Sequence, residues 1–434
     1  MEPITIGILS IVGMFALMVA GVPIGFAMGA AAVAGTAFII GTGPALALLG
    51  QTAYETAVTY DLSIVPLFVL MGYFASNSGL SEDLYRACNT WLGQRRGGLA
   101  LATIGGCGAF AAICGSSLAT AATMSEVAMP EMRRYGYDDR LATGCIAAGG
   151  TIGILIPPSV ILALYGILTQ TNIGHLFLAG ILPGLLTVLG FMITISIITR
   201  INPKLGPRGP LTTARQKLYA FKDVWGMVAL FVLVIGGIYL GILTPTEAAG
   251  VGATGALLLA VLRRRMSWAV LMTCLMDTVR TTAMLFTILI GAILVNNLLI
   301  LSNVAGALSD WVGGLALAPL TVMAVILLIY LVMGCVLDAL AMIILTIPIF
   351  FPIVLSLGFD PIWFGIVVVM VVELGLITPP VGMNVFVIKG MTRDVTLGQI
   401  YLGVLPFCLA QILLIALIVT FPAIAIWLPG TMGL

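Results

Sequence analysis

Two stretches of this chain place a double proline inside an apolar run: Pro157-Pro158 in "GTIGILIPPSVILALYG" and Pro379-Pro380 in "VELGLITPPVGMNVFVIKG". Proline removes a backbone donor and its ring clashes with the preceding turn, so each pair opens a helix and frees carbonyl oxygens. In hydrocarbon every freed carbonyl needs another partner. A dehydrated cation such as Na⁺ suits several carbonyls and hydroxyls at once, so the chemistry on offer is cation coordination. The alternative is a plain kink healed by Ser/Thr side chains or water. One break would favour the kink, whereas two related breaks favour ion sites.

Each break has a polar partner earlier in the chain. The first is "CGSSLATAAT", with Gly115, Ser116, Ser117, Thr120 and Thr123; the second is "GCVLDALAM", with Asp338. Small residues at such a tip let backbone approach a ligand closely. They also serve close helix packing in membranes, which is the competing reading of the first tip. An intramembrane acid is functional by default, against the alternative of a hydrogen-bonded structural carboxylate. Glu373 lies one turn before the second break and is either a further ligand or a carboxylate facing an aqueous vestibule.

The elements that must position these residues lie in a membrane. Of 434 residues, 61% are hydrophobic and only 8% charged, with mean hydropathy +1.20. A soluble domain carries about 25% charged residues, so this is an all-α polytopic membrane protein. The net charge of +1 gives no sign of nucleic-acid binding. Seven scattered cysteines form no C-x-x-C pair, so disulfide and zinc readings are weak. The N-terminus lacks a basic flank and a small-residue cleavage site, so the first apolar run is expected to be a retained span.

Apolar segments fall near 4–20, 22–40, 63–77, 97–114, 117–130, 141–168, 178–199, 224–243, 246–262, 281–300, 315–336, 339–353, 361–388 and 404–427. A crossing needs about 20 apolar residues, and several of these are shorter. Segments 97–130 and 315–353 read as re-entrant hairpins, each with two arms and a polar tip. Segments 141–168 and 361–388 read as discontinuous helices. Segments 45–59, 171–178, 266–279 and 395–402 are expected to be interfacial connectors.

A shift of 222 residues lays Gly153, Pro157 and Pro158 on Gly375, Pro379 and Pro380, and "YGYD" at Tyr135 on "LGFD" at Leu357. It also aligns Ser116 with Asp338, and after a one-residue slip "GILP" at Gly180 matches "GVLP" at Gly403. The chain therefore carries two related halves. Basic residues follow the first hairpin (Arg133, Arg134, Arg140) but not the second; they follow the second break (Lys389, Arg393) but not the first. The basic side swaps between halves, which marks an inverted repeat. The loop 200–223 has six basic residues against Asp223, and Arg263-Arg264-Arg265 follows two spans later on the same side. Both termini are then expected outside. Between those spans, Thr244, Pro245 and Glu247 have the spacing of a capping box.

At this point the residues carry a resemblance. "GGCGAFAAICGSSLATAATMSEVAMPEMRRYGYD", "GGTIGILIPPSVILALYGI", "LFLAGILPGLL", "GILTPTEAAG" and "ELGLITPPVGMNVFVI" resemble the large membrane (M, DctM-like) subunit of tripartite ATP-independent periplasmic (TRAP) transporters, from "VPIGFAMG" to "GVLP". The resemblance implies an elevator-type ion-transporter fold and a Na⁺-driven symporter of organic acids (C4-dicarboxylates, sialic acid, related carboxylates) in the bacterial inner membrane. It implies two partners, a small four-helix membrane subunit and a periplasmic substrate-binding protein. With no fused segment before Met1, the small subunit is expected to be a separate chain.

Carried onto matching positions, the resemblance implies one Na⁺ site at Gly115, Ser116 and Ser117 with backbone around Gly150, Gly153 and Pro157. It implies a second at Asp338 with Gly375, Thr378 and Pro379. Candidate substrate contacts are Ser117, Thr120, Pro158, Pro380 and Asn384; no cofactor and no metal beyond Na⁺ is expected. The implied organisation is scaffold 1–96, transport half 97–177, scaffold 178–314 with its basic loop, transport half 315–403, and a C-terminal span 404–434. An intramembrane enzyme built on Ser116 lacks a base: the single histidine, His175, is expected beyond the break, with no H-E-x-x-H and no paired aspartates. A channel would need a continuous polar pore, and an ATP-driven permease a P-loop that the sequence lacks.

Overall fold

The computed structural model describes residues 2–209, 211–314 and 317–432. The first two residues of the 315–353 segment, Pro210 in the basic loop, and both chain ends (Met1, Gly433 and Leu434) lie outside the described residues. The first half runs α1 (Pro3–Val19), α2 (Ile24–Ile40), α3 (Thr42–Val58), α4 (Ile64–Asn77), α5 (Leu80–Leu92), α6 (Gly98–Cys114), α7 (Ser117–Arg134), α8 (Asp139–Leu155), α9 (Val160–Thr169) and α10 (Ile173–Ile201). The second half runs α11 (Ala214–Tyr239), α12 (Pro245–Leu262), α13 (Trp268–Leu301), α14 (Val304–Gly314), α15 (Pro319–Gly334), α16 (Ala339–Ser356), α17 (Pro361–Gly375), α18 (Met383–Met391), α19 (Leu397–Thr420) and the short α20 (Ala423–Ile426). Five of these helices are individually long and apolar enough to cross a membrane, or up to eight if each bent pair is one span.

The 222-residue register reaches beyond the motifs that revealed it. It carries α2 onto α12, α7 onto α16, the start of α8 onto the start of α17, and α5 onto α14. The bent pair α3–α4, which turns by 60°, has the continuous α13 as its counterpart. Hydrogen bonds between loops fix the inversion. Arg133, at the end of α7, donates to Asp139 at 2.8 Å and to Asp394, beyond α18, at 2.5 Å. Gly97 N–H donates to Gly206 O at 2.9 Å and Asp138 N–H to Leu205 O at 3.1 Å. The basic stretches of both halves therefore meet at one end. At the other, Tyr165 donates to Pro361 O at 2.6 Å and the Trp363 indole to Ile418 O at 3.0 Å. So α8 starts at the basic end and α17 starts at the opposite one.

The expected connectors prove to be parts of longer helices. Residues 171–178 open α10, 266–279 continue into 281–300 as α13, 395–402 open α19, and 45–59 belong to α3. Polar residues at their starts are caps: Asn172 accepts from His175 N–H, Ser267 from Val270 N–H, and Thr396 forms a capping box with Gln399. The box at Thr244 and Glu247 forms as its spacing required, with Glu247 accepting from Thr244 N–H at 2.8 Å. Helix α11 starts at Ala214, inside the 200–223 segment, because Thr213 and Gln216 make a further box. Helices α5 and α14 fall outside the apolar segments read from the sequence.

Packing sorts the helices into two groups. In one, α13 lies on α2 and α4, α12 on α4, α1 on α2, and α11 on α5 and α12. In the other, α8 is enclosed by α6, α7, α10 and α19, while α15 packs on α17, α16 on α9 and α18 on α7. Helix α10 thus sits with the hairpins and broken helices, although it opens the 178–314 segment. Helix α5 bridges the groups, packing on α6 more heavily than on α11. The groups also meet where α4 touches α6 and α9, where α13 and α14 touch α16, and where α10 touches α11.

Candidate functional site

Helix α6 stops at Gly115, whose φ of +60° is left-handed and costs glycine nothing. Ser116 then caps α7, its hydroxyl accepting from Ala119 N–H at 3.4 Å, and the Thr120 hydroxyl donates to Ser116 O at 2.7 Å. This tip presses on the first break. A Cβ at Gly115 would lie 2.8 Å from Pro158 O; one at Gly153 would lie 2.8 Å from Ser116 O and 2.9 Å from Thr120 Oγ. Gly115, Ser116, Thr120, Gly153 and Pro158 are therefore brought together, and Ser117, Thr120, Pro157 and Pro158 are buried. Gly150 faces elsewhere, toward Ala121 and the Asn384 amide.

The second tip repeats the plan. Asp338 caps α16, accepting from Leu340 N–H at 3.2 Å, and Gly382 N–H donates to Cys335 O at 3.1 Å. A Cβ at Gly375 would fall 2.7 Å from Gly334 Cα, so only glycine lets arm and break touch. Beside Gly382 the Leu376 and Thr378 carbonyls converge, each 3.1 Å from where its Cβ would be. The Thr378 hydroxyl donates to Leu374 O at 2.6 Å. Pro379 and Pro380 are exposed, unlike the first pair, and the Tyr401 hydroxyl donates to Pro380 O at 2.9 Å and Val381 O at 2.7 Å. One freed carbonyl set thus already has a protein partner. Both proline pairs contain a cis bond between the two prolines.

Asn384 joins the halves. It is fully buried on α18, donates to Ala147 O of α8 at 3.2 Å, and leaves its Oδ1 without a partner. Glu373 faces no vestibule: it is fully buried, and among the described residues neither carboxylate oxygen makes a hydrogen bond of ordinary geometry. The repeat register places Thr151 opposite Glu373 and Ser116 opposite Asp338, so hydroxyls stand in the first half where carboxylates stand in the second. Tyr401 and the buried Gln411, which donates to Met370 O at 3.4 Å, were missed from sequence. Their signal was available, as isolated polar side chains in an apolar helix.

Chemically, each site is a meeting of helix ends. Helices α6 and α8 end, and α7 and α9 begin, around the first break; α15, α17, α16 and α18 do the same around the second. Carboxyl ends offer partial negative charge and carbonyls to a cation, and amino ends offer N–H groups to an anion. Ser116 has no histidine beside it for nucleophilic work, since His175 starts α10. Among the described residues no group of three or more His, Cys, Asp or Glu could hold a metal ion.

Residues 11–424 match the family model described as tripartite ATP-independent periplasmic transporter, DctM component. The chain is 37% identical to the C4-dicarboxylate TRAP transporter large permease protein DctM of Pseudomonas aeruginosa, over 88% of this chain and 89% of that one. It is 31% identical to the sialic acid TRAP transporter large permease protein SiaM of Vibrio cholerae, over 97% of each. With the isethionate TRAP transporter permease protein DctMQ of Oleidesulfovibrio alaskensis it shares 35% identity over 96% of this chain and 66% of that one. The fold is similar to that of the Alcanivorax borkumensis YdaH transporter, at TM-score 0.66 and 15% identity over 90% of each chain. The chain belongs to the DctM family of tripartite ATP-independent periplasmic transporters.

Proposed function

We propose that this DctM-family chain uses a Na⁺ gradient to carry an organic acid across the bacterial inner membrane by elevator-type alternating access. The observation that carries the reading is the paired construction of glycine-lined hairpin tips pressed on helix breaks, once in each inverted half. Carbonyls at both sites, with hydroxyls at one and the Asp338 carboxylate at the other, suit two Na⁺ ions. Helix amino ends, Thr120 and Asn384 suit a substrate carboxylate between them. The names of the relatives span C4-dicarboxylates, sialic acid and isethionate, all organic anions.

Segments 97–177 and 315–403 form the moving body in this reading. The packing of α10 and α19 against α8 supports adding both helices to it. The remaining helices of 1–96 and 178–314 form the scaffold, braced by a small membrane subunit. A periplasmic binding protein delivers substrate to the side where both termini lie, opposite the basic loops. The test is uptake into proteoliposomes holding this chain and its small subunit, with the binding protein outside. Accumulation against a gradient is expected only with inward Na⁺. Equal accumulation with K⁺ in its place would overturn the coupling.

A further inference from the structure

At the basic end, away from both breaks, a cavity of about 320 Å³ is lined by Ser78, Gly79, Asp83, Lys222, Arg263 and Arg265. Three cations, Lys222 on α11 and Arg263 and Arg265 at the α12–α13 turn, thus face one carboxylate. Arg263 is tied to Asp83 by a short ion pair, and Asp83 also meets Arg86 at 3.8 Å. The Arg265 guanidinium lies over Gly79, with Nε 3.7 Å from where a Cβ would be. Gly79, on the cavity wall, is the N-cap of α5, a 13-residue helix whose amino end carries partial positive charge. The charge rule for membrane loops requires basic residues at this end. It does not require residues 43 positions apart in the chain to converge on one cavity at a helix amino end.

We infer that this cavity binds a phosphate group, and that its occupant is the headgroup of an anionic phospholipid. Phosphate chemistry follows from two guanidinium groups and one ammonium group converging on one cavity. The lipid source follows from position: Arg263 and Arg265 flank the turn between α12 and α13, two membrane-length helices, which places the cavity at headgroup depth. A bound headgroup would pin the start of α5 to the α12–α13 turn, and α5 in turn packs along α6, the first arm of the hairpin. The lipid would brace the scaffold against the tip that works at the first break.

The experiment measures thermal protection of the purified chain by short-chain phosphatidylglycerol, phosphatidylcholine or inorganic phosphate, for wild type and for the double variant Lys222→Ala/Arg265→Ala. That variant leaves the Arg263–Asp83 pair in place. Phosphatidylglycerol should protect the wild type and phosphatidylcholine should not. Its apparent affinity should fall about thirtyfold in the double variant, roughly fivefold for each basic side chain near an anionic headgroup. Lys204→Ala, elsewhere on the basic loop, should change little. Protection by inorganic phosphate at matched concentration would keep the phosphate site and assign it to a soluble anion. Equal affinity in wild type and double variant overturns the proposal. If the double variant does not fold, wild type decides: protection that does not weaken as salt rises from about 0.1 to about 1 M overturns it.

Discussion

Asp338 and Ser116 occupy equivalent positions and do the same local work, each capping the return arm of its hairpin. Their chemistry separates them. Asp338→Asn keeps a capping oxygen but removes a full charge, and at about 4 Å in a medium of dielectric about 20 that charge is worth about 4 kcal/mol to a cation. Na⁺ activation should therefore weaken by about a hundredfold or more, with little change in thermal stability. Ser116→Ala removes a cap and the neutral ligand proposed there, with an expected cost of about 1 kcal/mol of stability and a smaller loss of Na⁺ affinity. Parental Na⁺ dependence in Asp338→Asn would make that carboxylate purely structural. Arg133 offers a residue-scale test outside the membrane. Its hydrogen bond holds the exposed Asp394 carboxyl below the usual range. A depressed carboxyl contributes stability above its unfolded pKa and loses it as pH falls through the folded value. The melting temperature of Asp394→Asn should thus lie slightly below that of wild type at pH 7, with the gap closing below about pH 4. A gap that does not shrink at all as the pH is lowered further below about 4 would show the contribution is not ionic.

Among the elements, the broken helices make the sharpest claim. Replacing Pro157-Pro158 with alanines restores two donors and allows α8 to run on into α9. Na⁺ activation should weaken by about tenfold or more while the chain still inserts and pairs with its small subunit; an unchanged activation curve would remove the first break from the ion site. The same change at Pro379-Pro380 tests a different balance, since the Pro380 carbonyl is already held by Tyr401. The breaks and tips were legible because proline, glycine and polar residues inside apolar runs act locally. The lengths of α10, α13 and α19 were not, because the caps at Asn172, Ser267 and Thr396 show only once their side chains are placed on helix amides. The burial of Glu373 was equally hidden, since it depends on helices packed from other parts of the chain.

For the whole molecule, the division into two packed groups makes sliding testable. The first tip touches α4 where a Cβ at Gly72 would meet Cys114 O at 2.9 Å, and the Phe68 and Phe177 rings meet at 5.6 Å between α4 and α10. In a background keeping Cys114 as its only native cysteine, Ser76→Cys places a second thiol on α4 one turn beyond Gly72. Oxidation should link scaffold to tip, stop transport, and release it on reduction. Transport that continues in the fully crosslinked protein would replace the elevator with local gating.

The sequence by itself determined a polytopic helical protein, its two inverted halves, the paired breaks and tips, and the family. Each of these is written in local composition, in a repeat register, or in the charge of loops that lipid keeps on one side. Tertiary structure alone decided which groups meet. It aimed Gly153 at Ser116 but turned Gly150 toward Asn384, and it supplied the Pro380 carbonyl with a hydroxyl from α19. It also seated α10 beside α8. Such contacts join residues of different helices, Gly150 and Asn384 from opposite halves, and their partners are set by the packing of whole helices, which no local pattern encodes.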